Sequence, residues 1–106
     1  MNNLKLVLTT HDDPIQAREL AIQLVEERAA ACVNIIPQLE SVFHWKGAVQ
    51  AENELLLLIK TTESKLDQVK ELLEERHGYD VPEIIALDGE VLHKPFLAWV
   101  HQCLED

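Results

Sequence analysis

Imidazole, thiol and carboxylate side chains are the groups in this sequence that could bind a transition metal. The chain has 106 residues, with five histidines, two cysteines and 19 aspartates and glutamates. A copper site needs several of these groups to converge at one place. The histidines show no H-x-x-x-H or H-E-x-x-H spacing, and the cysteines form no C-x-x-C pair. Any such site therefore depends on the fold to bring distant residues together.

Each histidine also has a structural interpretation. His77 is predicted at the end of a helix, where an imidazolium interacts favourably with the helix dipole. His11 lies in a Thr-His-Asp-Asp segment that is typical of a helix-capping loop. His44 falls on a predicted strand as a surface or interface residue. His93 and His101 lie on or near the last predicted helix, two turns apart.

The two cysteines show no sign of a disulfide framework. Cys32 follows a run of alanines, where a cysteine usually acts as a small hydrophobic side chain. Cys32 and Cys103 lie far apart in the sequence, and the chain has no other thiol. The sequence neither predicts nor excludes a disulfide between them, so their redox state stays open.

Composition limits the classes of partner. A length of 106 residues with 47% hydrophobic residues predicts one globular domain, residues 1–106. The formal net charge of −10 disfavours nucleic acid and attracts cations and basic partners, although it also serves solubility alone. The chain starts on a strand-like pattern, with no signal-like segment and no membrane-spanning apolar run. The sequence thus predicts a cytoplasmic protein with no membrane partner.

The first half of the chain predicts a strand, a helix and a second, longer strand. Alternating leucines over residues 4–9 indicate the first strand. Asp12 or Asp13 followed by Pro14 predicts a helix start, and the apolar periodicity ends near residues 28–30. Residues 33–45 indicate a long strand with a bulge at Pro37, which cannot donate to a sheet ladder.

The second half predicts a hairpin, a helix, a short strand and a terminal helix. The segment boundaries that the pattern predicts are a turn at residues 46–47, a strand at 55–59 with a polar extension at 49–54, helix-capping residues at 61–64, a helix stop at 77–78, a strand at 83–87, a turn at 88–89 and a helix opened by Pro95. The order β-α-β-β-α-β plus a C-terminal helix predicts an α+β, ferredoxin-like sandwich. Its second and third strands are longer than a domain of this size needs, so their exposed edges are expected to pair with another chain.

Four segments carry a family resemblance, in order and with sensible spacing. They are residues 30–37, residues 45–47 followed by Glu52, Glu54 and residues 58–61, residues 79–87, and residues 96–100. Together they resemble the signatures of the CutA divalent-cation tolerance family. The resemblance implies a homotrimer similar to PII signalling proteins, with long hairpins that pair between subunits. It also implies a role in tolerance of divalent cations, copper above all, with no required cofactor and a divalent metal ion as a partner.

The resemblance also implies candidate metal ligands. The site proposed in the family uses a cysteine, a histidine and the glutamate of the Pro-Glu motif. These positions correspond here to Thr9, to Arg76 with His77 beside it, and to Glu83. A thiolate is therefore missing, and the expected ligands of a cupric ion are His77 and Glu83.

A second candidate site is a pocket between subunits. The residues at the family positions are Trp45, Glu52, Lys60, Tyr79 and Glu83. They could bind a small metabolite or an anion, as in a PII-like sensor. They could instead form an ion pair between subunits, with Lys60 as the cation. No nucleophile–base set or phosphate-binding glycine loop occurs, so the chain is not expected to be an enzyme.

Overall fold

The computed structural model describes residues 4–105, and its helices and strands follow the predicted order. The elements are β1 (Leu4–His11), α1 (Pro14–Glu26), β2 (Cys32–Trp45), β3 (Ala48–Thr62), a 3₁₀ turn (Glu63–Lys65), α2 (Leu66–Arg76), β4 (Ile85–Gly89) and α3 (Lys94–Leu104). The strands form a four-stranded sheet in the order β2-β3-β1-β4. Every neighbouring pair is antiparallel, which confirms the α+β class and the antiparallel sheet.

Helix α1 starts as the sequence predicts and ends earlier. The side chain of Asp13 accepts hydrogen bonds from the backbone N–H groups of Ile15 and Gln16, at 2.9 and 3.2 Å. The helix stops at Glu26 because Arg28 adopts a left-handed conformation, with φ of 58°. A residue in that conformation commonly ends a helix, so the predicted end near residues 28–30 was too late.

The β2-β3 hairpin contains both irregularities that its sequence predicts. The strand register shifts between Ile36 and Leu39, which confirms the bulge around Pro37. Lys46 and Gly47 form the turn with φ of 51° and 81°, the conformation that two-residue hairpins favour. The polar segment 49–54 is part of β3 and extends the hairpin well beyond the apolar core.

Two local predictions were wrong. Thr62 makes no side-chain cap to a helix, because a 3₁₀ turn comes first and its hydroxyl pairs with that of Ser64 at 3.2 Å. The last strand lies at Ile85–Gly89, two residues later than predicted, so Asp88 and Gly89 do not form a turn. They remain in the strand because they pair with the start of β1, where the ammonium of Lys5 forms an ion pair with Asp88.

The sheet has a different cover on each face. Side chains alternate along a strand, so Val7 and Leu6 point to opposite faces. Val7 belongs to the main core beneath α1 and α2, whereas Leu6 packs against the cluster that contains α3. Helix α3 therefore covers the face opposite α1 and α2, at the end of the sheet where β1 begins.

The rest of that second face is apolar and uncovered in a single chain. The strand register aligns Leu8 with Leu58 and Ile85 on this face. Ile85 and Leu87 are 45% and 47% exposed, and Ile36 is 44% exposed. We call these residues, Leu8, Ile36, Leu58, Ile85 and Leu87, the open sheet face.

Candidate functional site

A cleft of about 550 Å³ lies between the hairpin, the end of β1 and the segment that follows α2. Its walls combine carboxylates with aromatic and aliphatic side chains. The carboxylates are Asp12, Glu52, Glu54, Asp80 and Glu83, and the large apolar or aromatic residues are Val42, Phe43, Trp45, Tyr79 and Val81. No lysine or arginine of residues 4–105 lines it. We call it the acidic cleft.

Three parts of the fold position these side chains. Strand β1 runs through His11 and brings Thr10 and Asp12 to the cleft. Alternate residues of β3 point to the same side of the sheet, so Glu52 and Glu54 both point into the cleft. Strand β2, which pairs with β3, contributes neighbouring residues of the same wall. Gly78, with φ of 102°, redirects the chain after α2 and leads residues 79–83 along the third wall.

Tyr79 and Glu54 are joined at the inner end of the cleft. The Tyr79 hydroxyl donates a hydrogen bond to Oε2 of Glu54 at 2.7 Å. Glu54 is only 8% exposed, which is unusual for a carboxylate. Burial, and then the hydrogen bond to Glu54, raise the pKa of Tyr79 above its ordinary value, so the phenol stays a neutral donor.

Two buried histidines support Tyr79. The rings of His11 and His77 stack with centroids 4.6 Å apart, and the ring of Tyr79 meets that of His77 edge-on, also at 4.6 Å. His11 Nε2 donates to the carbonyl of His77 at 2.8 Å, and His77 Nε2 donates to the carbonyl of Thr10 at 2.7 Å. These reciprocal hydrogen bonds join the end of β1 to the end of α2.

The remaining ring nitrogens are also engaged. His11 Nδ1 accepts from the backbone N–H of Asp13 at 3.0 Å, and His77 Nδ1 accepts from that of Tyr79 at 3.4 Å. In both imidazoles Nδ1 thus serves as an acceptor and Nε2 as a donor. Burial is the main cause that lowers the pKa of His77 below its ordinary value of 6.5, and the neighbouring His11 acts in the same direction.

The structure separates the two predicted metal ligands. Glu83 lines the acidic cleft, whereas His77 is 1% exposed and is not among the lining residues. The other family positions also lie away from the cleft lining. Thr9 is fully buried, and its Oγ1 has no hydrogen-bond partner within the described chain. Arg76 pairs with Glu27, Nη1 to Oε2 at 2.5 Å, and so joins α2 to α1.

Four of the five predicted pocket residues line the acidic cleft of one chain: Trp45, Glu52, Tyr79 and Glu83. Lys60 lies elsewhere. Its backbone lies opposite Cys32 in the register of β2 and β3, and its ammonium is 5.8 Å from the ring centroid of Phe96 on α3. The position of the cleft between subunits stays a prediction.

Sequence reasoning missed part of this site. It treated Asp12 as a capping residue and did not include Glu54 or Asp80 in the pocket. The usable signal was the alternation of Gln50, Glu52 and Glu54, which places three polar side chains on one side of a strand. No comparable signal reports that His11 and His77 stack.

The carboxylates do not form a ready-made coordination sphere. Among residues 4–105, no group of three or more histidine, cysteine, aspartate or glutamate side chains lies close enough together to hold a metal ion. A cation in the acidic cleft would have to draw these side chains towards itself. The exposed positions of Asp12, Glu52 and Glu83 allow that movement.

Comparison with known proteins decides the family. The model of the family described as CutA1 divalent ion tolerance protein matches residues 5–103. The chain belongs to this family. The CutA1 match confirms the resemblance that the four sequence segments carry.

Two named relatives illustrate the range of the CutA family. The divalent-cation tolerance protein CutA of Thermus thermophilus is 44% identical over 98 residues, which cover 92% of this chain and 95% of that protein. Protein CutA of Mus musculus is 45% identical over 89 residues, which cover 84% of this chain and 50% of that protein. The chain thus spans about half the length of the mammalian relatives that it matches.

Solved CutA1 structures have the same fold. The CutA1 structure from Oryza sativa has a TM-score of 0.94 at 39% identity and covers 99% of this chain and 96% of its own. The Thermus thermophilus structure has a TM-score of 0.88 at 44% identity, with coverage of 92% and 94%. The antiparallel sheet and its helices are therefore those of the CutA1 fold.

The relatives do not share one location. A rice relative is named chloroplastic, and the structure from Archaeoglobus fulgidus is described as periplasmic. Within residues 4–105, no helix is long and apolar enough to cross a bilayer. The cytoplasmic location stays a prediction.

Proposed function

We propose that this protein supports divalent-cation tolerance by binding the cation directly, cupric ion included, in the acidic cleft. The observation that carries the proposal is the convergence of five carboxylates on one cleft that no lysine or arginine of the described chain lines. Like charges brought together are unfavourable until a cation offsets them. The net charge of −10 adds a long-range attraction for cations.

The ligand chemistry is oxygen-based. Carboxylates accept hard and borderline divalent ions, and for a given site of oxygen and nitrogen ligands Cu²⁺ binds most tightly of the first-row series. His77 could join such a site only if one ring nitrogen gave up its backbone hydrogen bond and the ring reached the cleft, which it does not line. We therefore assign the main ligand role to the carboxylates, with Glu83 as the one predicted ligand that lines the cleft.

Calorimetry with Cu²⁺ tests the proposal. The double variant Glu52→Gln/Glu83→Gln should abolish saturable binding at micromolar cation, because it removes two charges from the cleft without changing side-chain size. Glu19→Gln is the matched control, since Glu19 is an exposed carboxylate on α1 outside the cleft. Wild-type affinity retained in the double variant would refute the acidic cleft as the site. Loss of binding in His77→Ala alone, with the fold intact, would instead restore the histidine site.

We also propose that the working form is a homotrimer. The open sheet face supports this, because a monomer rarely leaves the apolar face of a sheet uncovered. The hairpin supports it too, since Val42 and Val49 are 65% and 68% exposed on strands that project beyond the core. A neighbouring copy could cover both surfaces and close the acidic cleft.

Light scattering on the purified chain measures the assembly. A mass of three protomers is expected, and Leu87→Glu should reduce it by placing a charge on the open sheet face. Leu92→Glu is the control, because Leu92 is 88% exposed and lies outside that face. A wild-type mass near 12.1 kDa would contradict the trimer.

A PII-like sensor of a small metabolite remains the second candidate. The aromatic wall of Phe43, Trp45 and Tyr79 favours an organic ligand. The acidic lining and the distant Lys60 disfavour an anion, so such a ligand would be cationic. Saturable binding of an organic cation together with no binding of Cu²⁺ would favour this alternative. In both cases the protein binds its ligand without catalysis.

A further inference from the structure

The fold places both cysteines at one end of the sheet, Cys103 on α3 and Cys32 at the start of β2, and we call this pair the thiol cluster. Cys103 packs against the buried cluster that includes Ala31 and Val100, and Ala31 directly precedes Cys32. The Arg28 Nη1 donates to the backbone carbonyl of Cys103 at 2.8 Å. This hydrogen bond holds the end of α3 against the segment that leads into β2.

The orientation of the strands places Cys32 towards the same helix. Cys32 lies opposite Lys60 on β3, and Lys60 lies opposite Leu6 on β1, so the three share one face of the sheet. Leu6 packs against the α3 cluster, and the Lys60 ammonium lies 5.8 Å from the ring centroid of Phe96 on α3. The face of the sheet that carries Cys32 is therefore the one that α3 covers.

The electrostatics of the thiols are consistent with this proximity. Burial is the main cause that raises the pKa of Cys32, Lys60 lowers it, and Cys103 raises it further. Both cysteines are free thiols of intermediate exposure. They are thus partly sheltered from solvent, and Cys32 is within electrostatic reach of both Lys60 and Cys103.

We propose that Cys32 and Cys103 together bind a soft monovalent cation of the Cu(I) or Ag(I) class, at a site separate from the acidic cleft. Thiolates select such ions, whereas carboxylates do not. On binding, each thiol releases one proton and each sulfur forms one bond to the metal. Two thiolates and one M⁺ leave a net charge of −1, which the Lys60 ammonium offsets.

This charge balance sets the pH dependence. Without metal the Cys32 thiol is protonated at neutral pH, since burial raises its pKa. Binding of one cation therefore releases up to two protons, and the affinity falls as the pH is lowered. No electron is transferred, so neither an oxidant nor a reductant takes part in the binding step.

A bifunctional thiol reagent tests the geometry before any metal is added. Dibromobimane becomes fluorescent when both of its arms have reacted, so the reduced wild-type chain should become fluorescent and run as a single protomer on a denaturing gel. Cys32→Ser and Cys103→Ser should each remain dark. A dark wild type, or fluorescence found only in cross-linked dimers, would overturn the proposal.

Silver ion in chloride-free buffer then tests binding, because Ag(I) has the same preference for thiolates and does not change oxidation state. Native mass spectrometry should show one Ag(I) per chain and protection of both thiols from alkylation. Each single serine variant should lose roughly a hundredfold or more in affinity, since two linked ligands bind together. Two independent silver ions per wild-type chain would overturn the proposal.

Two controls separate this site from the acidic cleft. Glu52→Gln/Glu83→Gln should bind Ag(I) like the wild type, and the Cys32→Ser and Cys103→Ser variants should retain cupric binding by calorimetry. Failure of the cleft proposal would therefore leave the thiol result unaffected, and the reverse also holds. Silver binding that requires Glu83 would contradict the separation of the two sites.

Discussion

The acidic cleft and the thiol cluster lie at opposite ends of the same sheet and have opposite chemistry. From Glu54 in the cleft to Lys60 beside Cys32, β3 spans roughly 20 Å at about 3.3 Å per residue. The cleft is open, anionic and lined by oxygen atoms. The thiol cluster is covered by α3, is mainly apolar and lies close to a lysine.

The difference shows how cover determines the kind of group that a site can use. Carboxylates stay charged where water reaches them, so several can line an open cleft and remain available to bind a cation. Thiols are neutral until a metal replaces their protons, so they can be partly buried without an unpaired charge. A single small sheet can therefore present a hard site at its open end and a soft one at its covered end.

The largest expected effect comes from loosening the cover of the thiol end. Leu104 is 6% exposed in the α3 cluster, and Leu104→Ala should lower the free energy of unfolding by about 2–5 kcal/mol. Urea unfolding measures this loss, and alkylation of Cys103 should become faster in the folded state. Leu92→Ala, at a residue that is 88% exposed, is the control and should change neither quantity. Leu104→Ala should leave the affinity of the cleft for Cu²⁺ unchanged. A large loss of cupric affinity in this variant would contradict the independence of the two ends.

A smaller effect is expected at the inner end of the cleft. Tyr79→Phe removes the hydrogen bond donor of a nearly buried carboxylate and should cost about 1–3 kcal/mol of unfolding free energy. The double-mutant cycle with Glu54→Gln isolates the interaction between the two side chains, because glutamine replaces the charged acceptor of the Tyr79 hydroxyl with a neutral amide. Additive effects of the two substitutions would show that the hydrogen bond contributes nothing. Thiol reactivity at the other end should stay at its wild-type value.

The pH dependence of stability should follow His77. Its pKa in the folded chain is lowered from 6.5, so below pH 6.5 the unfolded chain binds a proton that the folded chain resists. The contribution is fully present above pH 6.5 and is lost as the pH falls towards the lower, folded pKa. The slope is at most about 1.4 kcal/mol per pH unit for one proton.

Unfolding curves measured from about pH 7.5 to about pH 5 give this slope, because the range spans the ordinary histidine pKa of 6.5. The hydrogen bond to the Thr10 carbonyl, and after it Asp12 and Glu54, raise the pKa of His77 and so limit the effect, whereas His11 lowers it. His77→Gln should flatten the curve, and His44→Gln, at an exposed strand position, should leave it unchanged. An unchanged slope in His77→Gln would assign the pH response to another group.

The smallest expected effect is that of salt, and it separates the two ends directly. Surface charges are screened over about 10 Å at 0.1 M ionic strength. Sodium perchlorate, which does not sequester silver, should weaken cupric binding in the cleft several-fold between about 0.01 and 0.1 M, where that screening length shortens. Silver binding at the thiols should change less, because metal–sulfur bonds and partial burial dominate there. Equal salt sensitivity at both ends would contradict the assigned chemistry.

The local elements could be predicted because their signals lie within a few residues. Asp13 before Pro14 fixed the start of α1, Pro37 fixed a bulge and Lys46-Gly47 fixed a hairpin turn. The predicted end of α1 was wrong because the left-handed conformation is adopted by Arg28, and an arginine does not signal that conformation as a glycine would. The place of the last strand was mistaken because pairing with β1 decides it, rather than the apolar run of residues 83–87.

The candidate site was predicted in part. Trp45, Glu52, Tyr79 and Glu83 lie together because the family motifs identify their positions, whereas Lys60 points to α3. His77 was expected as a ligand because it lies beside Arg76, the position that corresponds to the histidine of the site proposed in the family. Its burial against His11 depends on a residue far away in the sequence, and no periodicity reports such a contact.

The sequence by itself determined the order of the elements, the overlong hairpin, the acidic character and the family. The first three follow from local propensity, side-chain alternation and composition, and the family follows from the resemblance of four short segments to its signatures. The tertiary structure alone decided that five carboxylates share one cleft and that two histidines join the ends of β1 and α2. It also decided that Cys32 lies on the sheet face covered by α3, the helix that carries Cys103. Each of these arrangements joins segments distant in the chain, and the packing of α3 and the antiparallel register of the strands set which groups meet.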